Sequence, residues 1–216
     1  MTRVQAKICG LNDAVSVKAA VDGKADYIGM VFFAKSPRAV TPAQAAMLTE
    51  HVPDTVKIVG LFVDPDDDLI RDVLAVARLD LIQLHGSESV ERVLEIKKAF
   101  NIPVMKALKI AEKIDIENAN SYVGAADMLL FDAKAPKSME NALPGGNGLV
   151  FDWRMLANVT PSLPWMLAGG LDAANVLEAV TISGAPCVDT SSGVEVKPGV
   201  KDPAAIARFL EAVRTI

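Results

Sequence analysis

Short apolar runs alternate with amphipathic stretches along the whole chain. The runs are Val4–Cys9, Tyr27–Phe33, Val56–Val63, Asp80–His85, Pro103–Lys109, Met128–Ala133, Trp165–Gly170 and Cys187–Gly193. Each has strand length and carries branched or long apolar residues. The stretches between them read as helices. Thr41 opens one, with Pro42 at the first helical position and Gln44 three residues after the cap. Asp66–Ala77, Glu88–Phe100 and Asp172–Ser183 follow the same logic, the last with Asp172 as cap. Pro203–Val213, capped by Asp202, closes the chain, and Ala111–Tyr122 and Phe151–Asn158 are weaker helical patterns.

Eight strand candidates thus alternate with eight helix candidates, the seven named and the stretch between the first two runs, at about 27 residues per unit, the size of one βα unit. Such alternation implies a parallel sheet with helices outside. An open doubly wound sheet and a closed barrel both satisfy it; the count of eight favours the barrel. The expectation is an α/β fold, one (β/α)₈ TIM barrel domain spanning residues 1–216. No linker, composition break or repeat of residue identity interrupts it. The longest irregular stretch, Ala133–Gly148, follows the sixth strand; with Lys134, Lys137 and three glycines it is a candidate mobile lid or a plain surface excursion.

Composition changes this picture little. Apolar residues make up 51% and charged residues 23% of 216, which excludes disorder as the dominant state. The net charge of −5 argues against a nucleic-acid surface, though not against a local basic pocket. Two cysteines cannot build a disulfide scaffold and suit a reducing compartment. Cys9 and Cys187 fall at opposite ends of adjacent strands, so no bridge between them is expected. With no apolar signal segment and no run approaching the roughly 20 residues that span a bilayer, the expectation is a cytoplasmic protein without membrane contact. Monomer and homodimer both remain open.

Strand alternation then sorts the side chains. If Ala6 and Ile8 face the helices, Gln5, Lys7 and Cys9 face the barrel interior. Likewise Gln83 and His85 on the fourth strand, Asp132 on the sixth, and Asp189 and Ser191 on the eighth point inward. Cys9, His85, Asp132 and Asp189 therefore collect near the C-terminal ends of four strands. One inward polar residue is usually a hydrogen-bonded core group; four at one end are costly to bury without a use. Barrel enzymes build their sites at that end.

Two glycine turns add an anion site. WMLAGGLD runs from a strand through Gly169 and Gly170, and DTSSGVE adds Ser191, Ser192 and Gly193 one strand later. Turns after the seventh and eighth strands are where barrels hold phosphate, so a small phosphorylated molecule is the expected ligand.

The segments KICGL (Lys7–Leu11), FFAKSPR (Phe32–Arg38), QLHG (Gln83–Gly86), LLFDA (Leu129–Ala133), GGNGLVFDW (Gly145–Trp153), LAGGL (Leu167–Leu171) and DTSSGVEVKPGVKD (Asp189–Asp202) occur in this order. Together they make a chain that resembles the phosphoribosylanthranilate isomerases of tryptophan biosynthesis over nearly its whole length. The resemblance implies a (β/α)₈ fold, no cofactor and no metal. It implies conversion of N-(5-phosphoribosyl)anthranilate to 1-(2-carboxyphenylamino)-1-deoxyribulose 5-phosphate, an Amadori rearrangement. It further implies Cys9 as general base, Asp132 as general acid and Arg38 as the holder of the anthranilate carboxylate. Gly169, Gly170, Ser191, Ser192 and Gly193 become the phosphate-binding turns, with Lys7, Gln83, His85 and Asp189 in support. Asn147 stands where the family has Thr in GGTG.

That chemistry makes demands on the residues. A free thiol with a pKa of about 8.5 is only about 3% thiolate at pH 7. Lys7, two residues before Cys9 on the same strand face, is expected to lower the thiol pKa. A carboxylic acid of ordinary strength is ionised at neutral pH, so acid catalysis by Asp132 calls for burial or neighbouring negative charge. The blander readings stand beside these. Cys9 alone would pass for a small buried hydrophobe, and His85 for a packed or hydrogen-bonding partner. Asp64–Asp68 reads as a turn and helix start rather than a metal site, and His51 as a surface helix end. Against a related histidine-pathway isomerase, which would pair aspartates on strands one and five, these strands offer Cys9 and the lysine-bearing PVMKALK. A synthase of the same barrel type would carry a segment ahead of the first strand. A non-catalytic binding protein would need neither Cys9 nor Asp132.

Overall fold

Strand and helix alternate as the apolar pattern predicts. The computed structural model describes residues 3–134, 145–157, 159 and 161–216. Eight parallel strands form a closed barrel in chain order: β1 (Gln5–Cys9), β2 (Tyr27–Val31), β3 (Lys57–Phe62), β4 (Leu81–Leu84), β5 (Val104–Ile110), β6 (Met128–Ala133), β7 (Trp165–Leu167) and β8 (Cys187–Thr190). Closure rests on the β1–β8 ladder, in which Lys7 is in register with Asp189. The helices outside are α1 (Ala14–Asp22), α2 (Pro42–Thr49), α3 (Asp67–Leu74), α4 (Val90–Phe100), α5 (Lys113–Glu117), α6 (Val176–Ser183) and α7 (Pro203–Arg214). After β8 the chain folds back as a two-stranded hairpin, β9 (Glu195–Lys197) and β10 (Val200–Lys201), before α7 begins.

Local chemistry sets the helix ends. Thr41 and Gln44 form the expected capping box on α2, and Asp202 caps α7 ahead of Pro203. Asp66 caps α3, Asp67 pairs with Arg92 and Asp68 with Arg71, so the acidic run serves the helix start. No group of three metal-ligating side chains occurs among the described residues. His51 is exposed, just beyond α2.

Three helix expectations need correction. Seven α-helices, not eight, are present among the described residues: of the helix expected at Phe151–Asn158, residues 151–157 hold only a 3₁₀ turn, at Trp153–Met155, and Asn158 lies outside the described residues. Gly145, Gly146 and Gly148 before it, and Pro161 and Pro164 after it, disfavour helix on both sides. Next, α6 starts at Val176 rather than after Asp172. The Asp172 carboxylate accepts the N–H groups of Ala174 and Asn175 at 2.7 and 3.1 Å, forming a tight turn ahead of the helix. In α4, Ser89 is the cap and Glu88 turns into the interior. The weak pattern at Ala111–Tyr122 is α5 followed by a 3₁₀ turn. Most of the candidate lid, residues 135–144, lies outside the described residues.

A positional repeat staples the N-terminal rim. Asp26, Asp80 and Asp127 each precede an even-numbered strand. Each carboxylate accepts a backbone N–H from the strand before, from Ala6 at 2.9 Å, Ile58 at 2.8 Å and Val104 at 2.9 Å. The same aspartates donate their own N–H to the carbonyls of those three residues.

Ala6, Ile8, Ile82, Leu84, Leu129, Phe131 and Val188 pack outward against the helices, as alternation requires. The lower barrel interior is apolar, with Val59, Leu81, Met105, Leu130 and Met166. Above it comes a polar layer of Lys7, Gln83 and Asp189, all buried. Gln5 instead lies exposed at the N-terminal rim. Both cysteines are free, Cys187 beside Gln5 at the bottom and Cys9 at the top. No helix among the described residues is long and apolar enough to cross a membrane.

Candidate active site

The C-terminal strand ends surround a cavity that opens to solvent. Cys9, His85, Asp132 and Asp189 all line it, the four residues that alternation sends to that end. Arg38 enters from the loop after β2. β1 and β6 stand three strand steps apart through β8 and β7, so Cys9 and Asp132 reach the cavity from different sides.

Under the thiol, Lys7 is fully buried and its Nζ lies 3.0 Å from Asp189 Oδ1. Burial alone would lower the Lys7 pKa; the charges of Asp189 and Cys9 outweigh it and hold the ammonium above its ordinary value. The Cys9 thiol moves in the direction opposite to the sequence expectation. Burial pushes it up, Lys7 and Lys201 pull it down, and Asp189 adds to the rise. Lys7 does act on Cys9 with the predicted sign. It loses to desolvation because its charge is already engaged by Asp189.

Across the cavity, Gln83 Nε2 lies 2.8 Å from His85 Nδ1, and His85 Nε2 lies 3.2 Å from Asp132 Oδ2. With the Gln83 amide donating to Nδ1, His85 carries its proton on Nε2 and donates to Asp132. The second carboxylate oxygen accepts the N–H of Ala133 at 2.9 Å. Gln83 Oε1 is buried without a hydrogen-bond partner among the described residues. His85 and Gln83 are thus a chain that orients Asp132, with Gln83 beneath the cavity rather than in its wall.

Arg38 is buried and strongly held. Its Nε and Nη2 donate to the two Glu195 oxygens at 2.7 and 2.9 Å, and Nη2 also donates to the Gly146 carbonyl at 3.2 Å. Lys201 Nζ lies 2.8 Å from Glu195 Oε1 and donates to the Ser191 carbonyl at 2.9 Å. Sequence reasoning missed Glu195 and Lys201 as parts of the site. The available signal was the alternation EVK–PG–VK, a hairpin pattern that folds these charges back over the mouth.

Gly169, Gly170, Ser191 and Ser192 line the cavity side by side, from the ends of β7 and β8. Gly193 does not line it. A Cβ there would meet the Leu171 carbonyl at 2.0 Å, so the glycine lets the two turns pack together.

The model of the family N-(5'-phosphoribosyl)anthranilate (PRA) isomerase matches residues 6–212. The chain belongs to this family. Among curated members, the N-(5'-phosphoribosyl)anthranilate isomerase of Rhodospirillum centenum is 56% identical over 207 residues, covering 96% of each chain. That of Zymomonas mobilis is 50% identical over 214 residues, covering 99% of each. The crystal structure of phosphoribosyl anthranilate isomerase from Thermotoga maritima superposes with a TM-score of 0.87 at 33% identity, over 99% of this chain and 100% of that one. A structure of the isomerase in complex with reduced 1-(o-carboxyphenylamino)-1-deoxyribulose 5-phosphate gives 0.81 at 30% identity, with the same coverage. In PRA isomerase terms, the motifs that carry the sequence resemblance fall on the strand ends around the one cavity described above.

Proposed function

We propose that the protein is a PRA isomerase of tryptophan biosynthesis that uses Asp132 as general acid and Cys9 as general base. The observation that carries the reading is one cavity holding a thiol and a carboxylate from opposed strand ends, between an arginine and the turns of Gly169–Gly170 and Ser191–Ser192. The substrate 5-phosphate sits on Gly169, Gly170, Ser191 and Ser192, and Gly193 shapes that turn. The anthranilate carboxylate meets the Nη1 end of Arg38, since Glu195 engages the Nε–Nη2 edge. A ligand with a negative group at each end is thereby stretched across the mouth, its sugar between Asp132 and Cys9.

Asp132 gives a proton to the furanose ring oxygen while the C1–O bond breaks. The nitrogen lone pair moves in to form a protonated imine. The Cys9 thiolate then takes the C2 proton, the C2–H electron pair becomes the C1–C2 double bond, and the imine electrons return to nitrogen. The resulting enolamine tautomerises to the ketone, with no net gain or loss of protons or electrons. General acid and base steps of this kind contribute about 10²–10⁴-fold each. No step calls for a metal or cofactor.

The test is a fluorescence assay with freshly prepared N-(5-phosphoribosyl)anthranilate. The unmodified protein turns it over, whereas Cys9→Ser and Asp132→Asn lower kcat by about 10²-fold or more and keep affinity for the reduced product analogue. Equal turnover in the variants would show that neither residue handles a proton, and no turnover by the unmodified protein would favour a binding protein.

A further inference from the structure

Glu195 takes no part in the chemistry above, yet its side chain is only 3% exposed. Its carboxylate lies between two cations, Arg38 on one side and Lys201 on the other. Arg38 holds it through a two-pronged contact, which fixes the plane of the guanidinium as well as its position. Lys201 extends the tie by donating to the carbonyl and hydroxyl of Ser191, at 2.9 and 3.2 Å. The arginine and the β8 turn are therefore joined through one carboxylate and one ammonium. The hairpin supplies both, with Glu195 and Lys201 in register across β9 and β10. The Arg38 stem is confined too. A Cβ on Gly10, where φ is +75°, would come within 2.6 Å of Arg38 Cδ and 3.2 Å of Ser191 Oγ. Two cations around one anion leave one net positive charge at the mouth, so Glu195 does not cancel the attraction for an incoming carboxylate.

We propose that Glu195 is a positioning residue that, through Lys201, sets the Arg38 guanidinium at a fixed place relative to the Ser191–Ser192 turn. The cavity thereby measures the separation of a carboxylate and a phosphate on one ligand. This deepens the function proposed above and rests on Arg38 as carboxylate anchor and the β8 turn as phosphate site.

The experiment uses two probes by calorimetry: reduced 1-(2-carboxyphenylamino)-1-deoxyribulose 5-phosphate and the same molecule without its ring carboxylate. In the unmodified protein the carboxylate strengthens binding by about tenfold or more, the scale of hydrogen bonds to charged groups. In Glu195→Gln that advantage falls to about threefold or less, while the probe lacking the carboxylate keeps its affinity within about twofold. In turnover, KM for the substrate rises about tenfold and kcat stays within about twofold, because the contact is shared by ground and transition states. Glu195→Asp keeps the charge but withdraws the carboxylate by one methylene, and loses the same advantage; it decides the question if Glu195→Gln does not fold. An advantage left intact in the variants overturns the role of Glu195 alone. Equal weakening of both probes makes the residue merely structural. No advantage in the unmodified protein removes the Arg38 assignment and this inference with it.

Discussion

Cys9 sits where burial favours the thiol over the thiolate, with Lys7 and Lys201 opposing that shift. Its pKa is raised, and in the proposed mechanism the thiolate is the base. The sign is therefore that the thiolate, followed directly by its absorbance in a Cys187→Ala background, forms only beyond about pH 8.5, the range of an ordinary thiol. A thiolate already formed at pH 7 would contradict a thiol raised by burial. Lys7 offers a second check. Lys7→Met alone strands Asp189 and is expected to cost about 3–5 kcal/mol, as broken buried pairs do. The double variant Lys7→Met with Asp189→Asn removes both charges, and the pull of Lys7 on the thiol is the larger. In a Cys187→Ala background, thiolate absorbance should then titrate at higher pH than with the pair intact. An unchanged titration would mean that Lys7 has no electrostatic hold on Cys9. Residue parity made Cys9, His85, Asp132 and Asp189 legible from the chain alone. The partners of Lys7 and Arg38 were not. The Lys7–Asp189 contact depends on the register between first and last strands, and the Arg38–Glu195 contact spans 157 residues of sequence.

Asp26, Asp80 and Asp127 show how a local sequence feature builds an element-scale device. Each lies between apolar residues at the entry to an even strand and closes a reciprocal hydrogen-bond pair with the strand before. Asp80→Ala and Asp127→Ala should each lower stability by about 1–3 kcal/mol, the cost of an unsatisfied buried N–H. The two losses should add, since the sites share no partner. Urea denaturation measures this, and a loss below the error of the fit would remove the staple. Periodicity finds the long helices well, because their apolar stripes are set by the barrel they cover. It misplaces their starts where a side chain has a better use. The Glu88 carboxylate accepts from Asp64 N–H at 2.8 Å and from Gly86 N–H at 3.0 Å, and lies 2.6 Å from Lys106 Nζ. That leaves Ser89 to cap α4. The same pattern over-reads Phe151–Asn158, where turn residues on both sides outweigh a short apolar stripe.

For the molecule as a whole, the count of eight βα units favoured a closed barrel without excluding an open sheet. The β1–β8 ladder decides it, and pairing between the two ends of the chain leaves no mark in a local pattern. Ion pairs buried across the barrel also set its pH range. Burial would raise Glu88 and Glu195, but Lys106 for the first and Arg38 with Lys201 for the second hold them below the usual carboxylate value. A depressed carboxylate adds stability above its unfolded pKa, about 4.3, and that stability is lost as pH falls through the folded value. Lys7 has the opposite sign. Its raised value adds stability below about pH 10.4 that is lost only as pH rises through the folded value. Tm should therefore stay level from about pH 5 to 9 and fall steeply below about pH 4. Glu88→Gln should lower the plateau and flatten the acid limb; an acid limb of unchanged slope would place the titrating carboxylates elsewhere.

The division of labour between Asp132 and Cys9 is tested most directly by the isotope effect on N-(5-phosphoribosyl)anthranilate deuterated at C2. Slowing ring opening with Asp132→Asn should bring the effect on residual turnover towards unity, and slowing C2 deprotonation with Cys9→Ser should bring out the full primary effect. An effect retained in Asp132→Asn and absent in Cys9→Ser would assign the two proton transfers the other way round.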